Sequence, residues 1–196
     1  MKSRSQLFNL PPRWQQVHHG RVSRIPPPII ASWLFERGSL TQRLRRLCGD
    51  SFHIVLLSQS WQKPYAEESR ALKLRSGQRA VVREVALQSG DQPLVLARSV
   101  IPAKTLHGAD RRLANLGTRP LGHVLFTDPR LRRLKLEVAR IDADNWRARP
   151  SGASQDSHPI GQNLWGRRSL YSLGSGHILL VAEFFLPPLF LHEVDS

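Results

Sequence analysis

From residue 80 to residue 101, apolar and polar side chains alternate about the polar break Ser89-Gly90-Asp91-Gln92, which predicts a β-hairpin with strands at 80–87 and 94–101. A second hairpin is expected at 167–173 and 177–186 around the turn Gly174-Ser175-Gly176, and a further strand at 131–141. Residues 52–57 are also strand-like, and 61–77 read as polar and irregular. Helical composition appears at 29–37, directly after Pro26, Pro27 and Pro28, and Gly38 stops it. Ser39 and Gln42 have the spacing of a helix-capping box, with Leu40, Leu44 and Leu47 on one side of the helix they open, so the two helices form a hairpin. Helical signals recur at 106–126, with Thr118 as an N-cap ahead of Pro120. Residues 1–28 hold no sustained period and are expected to be a loosely ordered lead-in, and 142–163 an exposed loop. Hairpins dominate and no alternating βαβ pattern occurs, so the expected class is α+β with an antiparallel sheet, in one domain spanning 29–191.

Two charges sit where the strand period puts apolar residues. Arg83 shares a face with Val81, Val85 and Leu87, and Glu183 shares one with Leu179, Val181 and Phe185. An unpaired interior ion is strongly unfavourable, so each needs a partner, in the protein or on a ligand. Two readings stay open: a structural ion pair, with each other or with neighbours such as Glu84 and Arg98, or an anion-binding arginine and a carboxylate that handles a hydroxyl or a proton. The run Leu164-Trp165-Gly166-Arg167-Arg168-Ser169 is open in the same way, as a strand edge blunted by charge or as an arginine turned inward toward an anion.

Composition narrows the partners. The 196 residues carry 29 basic and 15 acidic side chains, a formal charge of +14, so anions are attracted, whether nucleic acid, a membrane surface or a small polyanion. The longest apolar stretch, 178–191, is interrupted by Glu183, Pro187 and Pro188, and the N-terminus lacks the apolar segment of a secretory signal, so a cytoplasmic protein without a membrane span is expected. Cys48 is the only cysteine, which rules out an internal disulfide and leaves a small buried hydrophobe as its expected role. His18 and His19 have no Glu or Cys at metal-ligand spacing, so no metal site is expected.

Several motifs, in order, resemble the chorismate pyruvate-lyase family. They are Val82-Arg83-Glu84, then Ala97-Arg98-Ser99-Val100-Ile101-Pro102, then Leu116-Gly117-Thr118-Arg119-Pro120-Leu121-Gly122 ending at Leu125-Phe126, then Leu164-Trp165-Gly166-Arg167-Arg168-Ser169, and finally Glu183-Phe184-Phe185-Leu186-Pro187. The resemblance implies a ligand enclosed between an antiparallel sheet and helical flaps, the helix hairpin being one flap. It also implies elimination of pyruvate from chorismate to leave 4-hydroxybenzoate for ubiquinone biosynthesis, with no cofactor. Family binding positions fall on Leu40, Arg83, Leu121 and Glu183, with Arg83 and Glu183 as the catalytic pair. Leu40 departs from the family's methionine by a mild apolar swap. The 142–163 loop is longer than the family's connection, and 58–79 matches weakly.

Two rivals remain at this point. The same fold serves as the effector domain of bacterial transcription regulators, so a non-catalytic small-molecule binder is the main alternative, although the lead-in is too short for the winged-helix domain those regulators carry. A nucleic-acid binder is the third, resting on the charge and on runs such as Arg43-Leu44-Arg45-Arg46. A monomer is favoured.

Overall fold

The computed structural model describes residues 5, 7–8, 10–17, 26–142, 145 and 164–194. Its strands are β1 (Gln15–Gln16), β2 (Phe52–Gln62), β3 (Ala80–Ser89), β4 (Gln92–Pro102), β5 (Arg132–Ile141), β6 (Leu164–Ser172) and β7 (Ile178–Phe185). They join in one antiparallel sheet in the order β1-β5-β6-β7-β4-β3-β2. The helices are α1 (Pro28–Leu34), α2 (Leu40–Cys48), α3 (Ala66–Ala71), α4 (Leu121–Phe126) and α5 (Pro187–Val194), with 3-10 turns at Ala103–Leu106 and Gly108–Asn115. The expected α+β class with an antiparallel sheet is the one observed.

Alternation along the central strands separates two buried faces rather than a buried one and a wet one. On the first face, Val85, Leu87, Ala97, Trp165 and Phe185 pack under Trp33, Leu34, Leu40 and Leu44 of α1 and α2. Farther along that face Val81, Ile101, Leu179 and Val181 pack under Leu113, Leu116, Leu121 and Leu125. Fully burying a side chain of this size is worth roughly 1.5–3 kcal/mol, so these contacts hold the helices on the sheet. The hairpin of α1 and α2 is closed by Arg43, which lies 3.6 Å over the Trp33 ring and donates to the Ser32 carbonyl at 2.8 Å. Prolines open α1, and the Ser39 hydroxyl accepts from the Gln42 amide at the start of α2.

Several expectations are corrected. The lead-in is not loose where it is described: Leu7 and Phe8 are buried against Leu96, Ala182 and Phe184 on the second face, and β1 pairs with β5. Two apolar side chains are enough to anchor it, which leaves no period to read. The strand expected at 52–57 is β2 and runs on to Gln62, and α3 occupies part of the stretch expected to be irregular. Pro120, not Thr118, is the N-cap of α4. Cys48 is half-buried, packed at the margin of the first-face core. Of the loop expected at 142–163, only 142 and 145 lie among the described residues, and His18 and His19 lie outside them.

Candidate functional site

The two apolar clusters of the first face do not meet. Between them is a narrow cavity of about 50 Å³. Its floor is the sheet, with Arg83, Val85, Ala97, Ser99, Val181 and Glu183. Leu40 and Thr41 of α2, together with Pro120, Leu121 and Leu125 around α4, cover it. All four residues singled out in the sequence, Leu40, Arg83, Leu121 and Glu183, line this one cavity.

Arg83 is 2% exposed and makes no ion pair with any described carboxylate. Its Nη2 donates to the carbonyls of Gly117 and Arg119, at 2.9 and 3.1 Å, while its buried Nε–H meets no acceptor. Gly117 has φ +54°, a left-handed turn that costs other residues strain, and this turn brings the two carbonyls round to the guanidinium. Burial away from any counter-charge lowers the Arg83 pKa to about 10.

Glu183 has a partner, but not one of those expected from the sequence. Arg167 Nε donates to Glu183 Oε2 at 2.5 Å, and Arg167 Nη1 donates to the carbonyls of Trp33 and Glu36, both at 2.9 Å. Burial works against the charge on Arg167, but Glu183 outweighs it and the pKa is raised. Glu84 and Arg98, weighed as partners for the anomalous pair, instead bind each other at 2.8 Å on the second face, where Arg98 also holds Glu68. There Arg168 pairs with Glu137 at 2.7 Å. The charges of the second face thus neutralise one another, whereas the cavity holds two guanidinium groups and one carboxylate. The reading of the Leu164–Ser169 run as a strand edge is also overturned. β6 lies between β5 and β7, and Arg167 and Arg168 both point inward, to opposite faces.

Arg167 is the cavity residue missing from the sequence-derived set. Counting back from the Gly174–Gly176 turn, with residue 173 opposite 177, places 167 opposite 183, which is the register found. The signal was present and needed only the strand pairing to be carried through. Gly166 beside it is required for another reason: a Cβ there would lie 2.6 Å from the Phe184 ring.

Leu40 and Leu121 are the first residues of α2 and α4, positions whose amide N–H groups lack intrahelical acceptors. Both residues line the cavity, and the Leu40 amide is present whatever its side chain. The cavity offers a dissatisfied cation, a neutralised carboxylate, two helix-start amides and apolar walls, which suits a flat anionic molecule with a hydroxyl at one end. Among the described residues no cluster of three or more His, Cys, Asp or Glu is placed to hold a metal, and no helix is long and apolar enough to cross a membrane.

Comparison with known proteins agrees with this chemistry. Residues 12–195 match the family model described as chorismate lyase. A Methylococcus capsulatus protein named "probable chorismate pyruvate-lyase" is 53% identical over 156 residues, covering 80% of this chain and 93% of the relative. One of the same name from Thiobacillus denitrificans is 41% identical, covering 83% and 85%. Among solved structures, the PhnF C-terminal domain aligns with TM-score 0.54 at 14% identity, covering 84% of this chain and 94% of that one. PhnF from Mycobacterium smegmatis aligns with TM-score 0.54 at 15% identity, covering 79% and 66%. These two likenesses speak to the fold alone.

Proposed function

The chain belongs to the chorismate lyase family, and from that premise we propose that its cavity removes pyruvate from chorismate and leaves 4-hydroxybenzoate. Chorismate carries one carboxylate on the ring and one on the enolpyruvyl ether, with a hydroxyl on the carbon next to the ether carbon. The ring loses the hydrogen from the hydroxyl-bearing carbon, and the neighbouring carbon–oxygen bond to the enolpyruvyl group breaks. The ring gains its third double bond, and a hydrogen added at the methylene of the departing group makes the methyl of pyruvate. No electrons enter or leave, and aromatisation drives the step, so the chemistry asks for no cofactor. It asks for an orientation that favours elimination and for positive charge near the oxygen that departs.

The observation that carries this reading is Arg83, a buried cation with no carboxylate of its own. In this reading the substrate supplies the missing charge, with Arg83 holding a carboxylate or the ether oxygen. Glu183 accepts a hydrogen bond from the ring hydroxyl, and the Leu40 and Leu121 amides bind carboxylate oxygens. Apolar walls from Val85, Ala97 and Val181 exclude water and so strengthen these contacts. The same reading has the protein working as a monomer in the cytoplasm, as one domain that takes in the anchored lead-in as well as 29–191, supplying 4-hydroxybenzoate to ubiquinone biosynthesis.

The test is turnover. Purified protein given chorismate should release 4-hydroxybenzoate, followed by its ultraviolet absorbance, and pyruvate in equal amount. Arg83→Met should weaken 4-hydroxybenzoate binding about 10- to 100-fold, the worth of a charge-assisted hydrogen bond, and Glu183→Gln should lower kcat. Tight binding of 4-hydroxybenzoate with no conversion of chorismate would replace the lyase with a non-catalytic binder of this fold. Wild-type affinity in Arg83→Met would remove the anion-binding role.

A further inference from the structure

Glu183 presents two oxygens, and they are not equivalent. Arg167 takes Oε2, while no hydrogen bond among the described residues engages Oε1. Arg167 is itself 1% exposed, and its other end is fixed by the carbonyls of Trp33 and Glu36 at the close of α1. A single side chain therefore spans from the end of α1 to the carboxylate on the cavity floor. We infer that Arg167 is a positioning residue: it sets the rotation and depth of Glu183, leaves Oε1 free for the substrate hydroxyl, and ties that placement to the seating of α1 on the sheet beside the site.

Three features make arginine suited to the task. Its planar fork can donate from Nε to one group and from Nη1 to others in fixed relative directions, which a lysine ammonium cannot do. The opposite charge removes most of the cost of placing Glu183 among Val181, Phe185 and Leu179. The α1 carbonyls lie at the negative end of that helix, where a cation is stabilised. Other groups lining the same cavity leave the assignment to Arg167 clear. Arg83 on β3 donates to Gly117 and Arg119 and makes no contact with Glu183, while Thr41, Ser99 and Tyr171 bring hydroxyl groups to the cavity.

The inference rests on the reading of Glu183 as the acceptor for the substrate hydroxyl, and a double-mutant cycle separates the two. kcat and KM are measured for wild type, Arg167→Met, Glu183→Gln and the double variant, with urea unfolding to confirm folding. Arg167→Met should lower kcat by roughly 100-fold, on the scale of losing one charge-assisted hydrogen bond to the reacting group, with KM changed by less than about 5-fold. In the Glu183→Gln background the same change should cost less than about 3-fold, because the group it positions is already gone. An equal loss in both backgrounds would overturn the inference and make Arg167 a support of the fold alone. Wild-type turnover in Glu183→Gln would instead refute the reading of Glu183, and the positioning role with it. If Arg167→Met does not fold, Arg167→Lys serves in both backgrounds. It keeps the charge and loses the fork, so a kcat loss that disappears beside Glu183→Gln supports the inference, and one that persists refutes it.

Discussion

Replacing Arg83 by methionine should make the ligand-free protein more stable while spoiling its site. The guanidinium is held among Val85, Ala97 and Val181 with only two backbone carbonyls to receive it. The gap between the ordinary arginine pKa and about 10 corresponds to roughly 3 kcal/mol, at about 1.4 kcal/mol per pH unit. Methionine keeps most of the side-chain length and removes that cost. The two hydrogen bonds lost, about 1 kcal/mol each, end on carbonyls of residues that are exposed and can be rehydrated. The net gain should be about 1–2 kcal/mol, read as a higher urea midpoint at unchanged slope. The sign with pH follows from linkage. The native state holds the Arg83 proton less tightly than the unfolded chain, so the wild type bears the full cost below about pH 10 and sheds it as pH rises further. The stability difference between variant and wild type should accordingly be constant through neutral pH and shrink above about pH 10. A ligand-free Arg83→Met protein less stable than wild type by 1 kcal/mol or more would refute the reasoning, because it would mean the cation is already well satisfied without a ligand.

Arg98→Met should act in the opposite sense, costing about 3–5 kcal/mol in the same unfolding assay, since it strands the buried Glu68 and Glu84 carboxylates together. Gly166→Ala should destabilise by about 1–3 kcal/mol as Phe184 is pushed aside; a change below 0.5 kcal/mol would show the sheet has room there. Ala97→Leu should leave the fold intact by circular dichroism yet abolish calorimetrically detectable 4-hydroxybenzoate binding, because its side chain enters the cavity floor, and retained binding would move the site elsewhere.

The catalytic candidates were legible in the sequence because a strand's period of two is unforgiving: Arg83 and Glu183 break an apolar face wherever the sheet sits. Their partners were less legible, since those depend on which strands lie side by side. Arg167 read as well as an edge guard as an interior ion, and only the neighbours β5 and β7 distinguish the two. The same uncertainty hid the second buried network, in which Arg98 and Arg168 find carboxylates on α3 and β5, far away in sequence. Leu7 and Phe8 escaped notice because an irregular segment anchored by two side chains has no period. The helix hairpin was readable from its prolines, its cap and its leucine spacing, all local features.

The most direct measurement of the central claim is a crystal structure of the protein grown with 4-hydroxybenzoate. The ring should occupy the space between β3, β7, α2 and α4, with an oxygen within hydrogen-bond distance of the Arg83 guanidinium and the product hydroxyl against Glu183 Oε1. Product bound with neither Arg83 nor Glu183 in contact, or a cavity still empty at saturating product, would contradict it.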